Sequence, residues 1–215
     1  MHGTVLDARQ QLITNHQQQQ QQQQPSSETT TTLHIEIPYR HRFISGEADE
    51  PLPWWNSRFP TGYSPCNVLV SERIPPMPFE IRETLIDRYC PETLWQEIKA
   101  SDVNRDCIVR AYLGRRRVGT GRPPRLKAFS LRNYPLHVDQ MEEMGIGFED
   151  LVVYAHIMAE ALAMMHWYAE VDGNDVEFVL APVPSSREVK GISNVLGTHV
   201  MWLLDFDCCK GMSKD

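Results

Sequence analysis

No apolar run in this sequence approaches the ~20 residues that a helix needs to span a bilayer, so no membrane-crossing helix is expected. The first residues, Met1-His2-Gly3-Thr4-Val5-Leu6-Asp7, lack a cationic stretch followed by an apolar one, and no secretory leader is read there. A basic surplus is missing too. The net charge is −7, which argues against a nucleic-acid-coating protein, because phosphate neutralisation needs a basic surface. Regular cysteine spacing is also absent. Cys66, Cys90, Cys107, Cys208 and Cys209 form an odd, irregular set that builds no disulfide framework and suits a reducing interior, cytoplasmic or nuclear. Nor do they suit zinc, whose structural sites use a close but not adjacent cysteine pair. Cys208 and Cys209 are adjacent, the other three lie far apart, and His166 and His199 would join them only by accident of folding. No zinc site is predicted.

What is present fits one soluble domain with a real core and an unstructured extension. Of 215 residues, 41% are apolar and 23% charged, with 15 prolines and 12 glycines. Met1 to Asn15 carries a weak helical pattern. The eight glutamines Gln17 to Gln24, with Pro25, Ser26, Ser27 and Thr29 to Thr32, bury too little apolar surface to offset the entropy of ordering them. Residues 1–32 are therefore read as a disordered, polyglutamine-containing tail that serves as a spacer. Residues 33–215 are read as a single α+β domain, strands early and helices late.

Leu33, Ile35 and Ile37 alternate with polar neighbours, the period of a half-buried strand that Pro38 ends. The four prolines and two tryptophans of residues 46–65 predict a surface loop pinned by Trp54 and Trp55. Val68 to Val70 is a strand, and Phe79 to Tyr89 a helix stopped by Pro91. Residues 107–113 and 129–134 look like a hairpin around a basic loop that includes Arg115, Arg116 and Arg117. That loop is the one hint of a phosphate or nucleic-acid contact; a solvated loop tip is the preferred reading. A short helix over 137–144 ends at Gly145. The main helix, 148–167, places Leu151, Ala155, Met158, Leu162 and Met165 on one face. Further apolar residues cover most of its circumference, so it is expected in the middle of the domain.

The chemistry sits after that helix. Asp172, Asp175 and Glu177 lead into Phe178-Val179-Leu180, and Met201 to Leu204 runs into Asp205-Phe206-Asp207. Phosphoryl transfer from Mg-ATP needs such carboxylates: one to orient and deprotonate the attacking hydroxyl, others to hold magnesium on the phosphates. The arrangement resembles the C-terminal lobe of the kinase-like superfamily, over about residues 148–207. Ala161 to His166 looks like the end of the central helix, and Asp172 matches the catalytic Asp. Glu177 falls at the metal-binding Asn position. Asp205-Phe206-Asp207 matches Asp-Phe-Gly, closest to the form in small-molecule kinases of the aminoglycoside and choline type. The resemblance implies a kinase-like C-lobe fragment: long buried helix, acidic loop, short β-hairpin. It also implies a lobe cut short, because the chain stops eight residues after Asp207.

The departures concern the grip on ATP. Glu170 stands where the family has His, Glu177 where it has Asn, and no Ala-x-Lys or Gly-rich loop precedes a candidate Lys. More narrowly, Leu69 to Pro78, Ser130 to Leu136, Met165 to Trp167, Asp175 to Leu180 and Trp202 to Cys209 resemble a fungal family of unknown function, labelled zinc-finger-protein-like. That resemblance implies an intracellular fungal protein and brings no activity.

Three readings follow. One is a catalytically silent, kinase-like module that meets an unknown protein partner. The alternative is an atypical phosphotransferase, or a truncated form of one, with Asp172 as base and Glu177 and Asp205 on Mg-ATP. The third gives the acids only structural work: Asp172 and Asp175 cap helices and Asp205 hydrogen-bonds a neighbouring loop. The phosphotransferase reading requires Asp172 and Asp205 to share one pocket.

Overall fold

A computed structural model describes residues 1–22, 35–46, 51–117, 129–186 and 188–213. The first elements are α1 (His2–Gln22), β1 (Ile35–Glu36), β2 (Arg40–Ile44), α2 (Pro51–Asn56), β3 (Val68–Ser71) and α3 (Phe79–Tyr89). Next come α4 (Trp95–Ala100), β4 (Val109–Tyr112), β5 (Tyr134–His137), α5 (Val138–Met144) and α6 (Phe148–Ala163). The chain closes on β6 (Glu177–Pro182), β7 (Ile192–Asn194) and β8 (Gly197–Leu204). The class is α+β, as composition and periodicity lead one to expect.

The main sheet is mixed and runs β1-β8-β6-β4-β5, with β7 also paired to β8. β8 pairs antiparallel with β6, Glu177 opposite Leu204 and Pro182 opposite His199. Alternation along β8 divides two apolar clusters. Met201 and Leu203 face the larger core with Ile35, Tyr154 and Met165, while Val200 and Trp202 face a smaller one with Val179 and Ala181. Both faces are buried, so the strand reads as a continuous apolar run. A separate ribbon of β2 and β3, antiparallel and irregular between Arg40 and Arg42, stands outside this sheet.

Three expectations change. β4 and β5 pair in parallel, Val109 opposite Tyr134, and are not a hairpin. Parallel neighbours need a crossover, which the long connection between them permits. Most of the basic loop, residues 118–128, lies outside the described residues. α6 is not surrounded by core. Its buried residues are Tyr154, Ile157 and Ala161, followed by Met164, whereas Phe148 is 75% and Val153 39% exposed. Ala155, Ala159 and Ala163 face water: alanine raises an apolar count but buries little area. Finally, the predicted disordered tail is helical over residues 2–22, and Val5 and Ala8 are buried in the main core. Arg9 fixes the docking, with Nε donating to the Ile35 carbonyl oxygen at 2.8 Å and its guanidinium paired to buried Glu36. The rest of the tail, residues 23–32, lies outside the described residues.

Other boundaries hold. α3 begins and ends where the Pro78 and Pro91 signals place it. α5 stops at Gly145, whose φ of 91° is the left-handed cap that glycine adopts without steric penalty. Residues 46–65 contain α2 and an aromatic clasp, Trp55 stacked on Phe59 at 3.8 Å between ring centres.

Candidate functional site

α6 does not run straight into the acidic segment. Its last carbonyls are met by a π-helical turn, Met164–Tyr168, closed by Ala169 N–H donating to the Met164 carbonyl at 3.1 Å. Glu170 then reverses the chain with φ of 52°, a conformation uncommon for a residue of this length. Gly173 passes so close to Leu162 that an added Cβ would lie 2.8 Å from its Cδ2. That close approach, rather than a phosphate-cradling role, explains the glycine.

Asp172 is absorbed by this turn. Its Oδ1 accepts the backbone N–H groups of Lys210 at 2.9 Å and Asn174 at 3.3 Å. Its own N–H donates to the Lys210 carbonyl at 2.9 Å, and Met212 N–H donates to the Glu170 carbonyl at 2.7 Å. Asn174 Nδ2 donates to the Cys208 carbonyl at 3.3 Å. The segment after β8 is thereby laced to the segment before β6. Here Asp172 ties down a neighbouring loop, the kind of structural work the third reading gives to Asp205.

Glu177 opens β6 and is also engaged. Its carboxylate pairs with Arg110 from β4 and accepts Asn133 Nδ2 at 2.8 Å. Asn133 reaches it from a left-handed position, φ of 55°. Arg110 in turn lies 5.8 Å from the Tyr112 ring centre. The negative charge that Glu177 would offer a metal is met by a guanidinium.

Asp205 is different. It follows β8 with φ of 68°, tolerable for Asp, and turns out of the sheet. Among the described residues no Lys, Arg or His comes within ion-pair distance of Asp205 or Asp207. The Asp205 carboxyl is pushed up to about 6. Partial desolvation is the first cause, although the residue is exposed overall. The hydrogen bond with Asp207 and the charges of Asp207, Glu177 and Asp175 add to it. Asp207 and Asp175 likewise raise the Cys208 thiol.

Asp205, Phe206 and Asp207 form one wall of a cleft of about 720 Å³. The ribbon supplies the opposite wall through Arg40, Phe43 and Leu69, with Glu72 beyond it, and the start of α1 supplies Met1, His2 and Gly3. His2 stacks obliquely on Phe206, ring centres 5.3 Å apart. Burial lowers the His2 pKa against the pull of its hydrogen bond to the Pro38 carbonyl. Neither Asp172 nor Glu177 lines this cleft. Glu177 acts on Asp205 from beside it, through charge, and Asp172 faces the closing segment.

Sequence reading missed the far wall entirely. Arg40, Phe43 and Leu69 meet the Asp205 turn only through long-range placement of the ribbon, and no local pattern announces that. Conversely, the basic loop is partly spent on the fold. Arg116 pairs with Glu142 through two contacts of 2.6 and 2.7 Å, Arg115 lies over Tyr112, and Arg117 N–H donates to Asp139.

All five cysteines carry free thiols. No group of three or more His, Cys, Asp or Glu among the described residues is placed to hold a metal ion, and no described helix is long and apolar enough to cross a membrane. Compared with protein-family models, with curated proteins and with solved structures, the chain matches none of them.

Proposed function

We propose that this chain is a catalytically silent, kinase-like interaction module. Ancestry is supported by order: helix, acidic turn, antiparallel strand pair, then an Asp-Phe-Asp turn at the strand's end. Silence rests on one observation. Two of the three carboxylates that phosphoryl transfer would need are already committed within the fold: Asp172 to the backbone of residues 174 and 210, and Glu177 to Arg110 and Asn133. A general base must reach the substrate hydroxyl, and a magnesium ligand must offer free oxygen. Both Glu177 oxygens are taken, and Asp172 is turned to the backbone of residues 174 and 210 and lies outside the cleft that Asp205 lines, so the three carboxylates do not converge on one phosphate.

The test is thermal unfolding of the full chain with and without Mg-ATP. Ligand held at 100 times its dissociation constant would add ~2.7 kcal/mol of stability, a rise of roughly 5–11 °C in Tm for a chain of this size. No rise is expected. A saturable rise that Asp205→Asn removes would overturn silence and favour the atypical phosphotransferase.

A further inference from the structure

We propose that the cleft between the β2–β3 ribbon and the Asp205-Phe206-Asp207 turn docks an extended segment of a partner protein carrying an arginine or lysine beside aliphatic residues. This deepens the interaction-module reading and rests on it. The apolar wall is the first reason. Phe43 and Leu69 stand opposite each other on the ribbon and remain 56% and 45% exposed. A two-stranded ribbon is marginal alone and gains from a cover on its apolar face. Charge is the second reason. Asp205 and Asp207 stand together at the cleft wall with no cationic side chain in ion-pair range among the described residues. Glu177 and Asp175 add to their repulsion. An incoming ammonium or guanidinium relieves that repulsion where an apolar or acidic side chain would worsen it.

The remaining lining orients the occupant. Arg40 lies against Gly3, on the α1 side, where it can donate to peptide carbonyl oxygens. Glu72 is already occupied by Tyr39 N–H and the Ser186 hydroxyl, so the carboxylates of the turn choose the partner's charge. A cleft of about 720 Å³ accommodates a few side chains. The chain's net charge of −7 steers a basic segment toward it.

The experiment titrates the full chain with fluorescein-labelled hexapeptides holding one arginine or lysine between leucines and valines, read by anisotropy. A matched peptide carries glutamine in place of the basic residue. Saturable binding of the basic peptide is expected near neutral pH, roughly tenfold weaker for Asp205→Asn and lost for Asp205→Asn with Asp207→Asn. Binding should also weaken as pH falls through about 6, where the pair takes up a proton. Arg40, the Met1 amino group and His2 are the cations lining the cleft, and a charged His2 repels a basic ligand more, so His2→Gln is run beside it and keeps the acid loss. Phe43→Ala should weaken binding and leave the pH profile in place. Equal binding of the glutamine peptide, unchanged binding by the double variant, or no peptide binding overturns the proposal. Mg-ATP is titrated in parallel. Stabilisation by nucleotide without peptide binding overturns the silent reading as well, whereas failure of both ligands removes the docking proposal alone.

Discussion

The two ends of β8 carry polar groups in opposite conditions. At its start, His199 is fully buried. Its Nδ1–H donates to the Gly197 carbonyl at 2.8 Å, and Nε2 accepts the Tyr154 hydroxyl at 2.7 Å. Tyr154 accepts Asn194 Nδ2 at 2.8 Å, and the same amide donates to Asp150 at 3.1 Å. Donors and acceptors are matched, and one tautomer is selected. At its finish, Asp205 and Asp207 crowd each other with no cation in ion-pair range among the described residues. Polar groups locked in a closed network rigidify a fold; polar groups left open are available to a ligand. One strand thus anchors α6 at one end and presents a binding face at the other.

The closed end should break hardest. Tyr154→Ala removes a buried aromatic ring and leaves His199 and Asn194 without a partner, an expected loss of roughly 3–5 kcal/mol. Urea denaturation of the variant measures it. Tyr154→Phe keeps the ring and removes only the hydroxyl, for an expected loss of about 1–3 kcal/mol. If Tyr154→Phe is as stable as the parent, the network is not what joins α6 to β7 and β8.

These ends were unequally legible. The strands after α6, the α5 stop at Gly145 and the α3 helix between its prolines follow from local rules: alternation, glycine's access to positive φ, proline's missing N–H. Asp205 at the mouth of a cleft was legible as a type of residue in a type of place. Its neighbours were not. Arg110 reaches Glu177 across 67 residues, and Lys210 meets Asp172 through backbone atoms whose identity no side chain reveals. His199 gave no sign of its network, since nothing near it in sequence names Tyr154. The helical start of the chain was misread for a related reason. Its intrinsic pattern is weak, and its order comes from Val5, Ala8 and Arg9 meeting a distant strand.

The smallest effect discriminates best, because the two ends respond to acid with opposite signs. Burial lowers the His199 pKa, so on acidification below about pH 6.5 the unfolded chain takes a proton that the folded one refuses, and stability falls. Asp205 is raised to about 6. From about pH 6 down toward 4 the folded chain keeps a proton that the unfolded one lacks, and stability rises. The two slopes oppose each other in overlapping windows. Asp205→Asn removes the second. At pH 7 it should stabilise by less than ~1 kcal/mol, since solvent screens an exposed pair. Below about pH 6 that advantage should vanish, leaving a steeper acid loss than in the parent. His199→Gln should do the reverse and flatten the acid limb. Urea midpoints for the three proteins across this range separate the ends. If Asp205→Asn runs parallel to the parent at every pH, its carboxyl feels no crowding, and the open end of β8 has nothing to offer a cation.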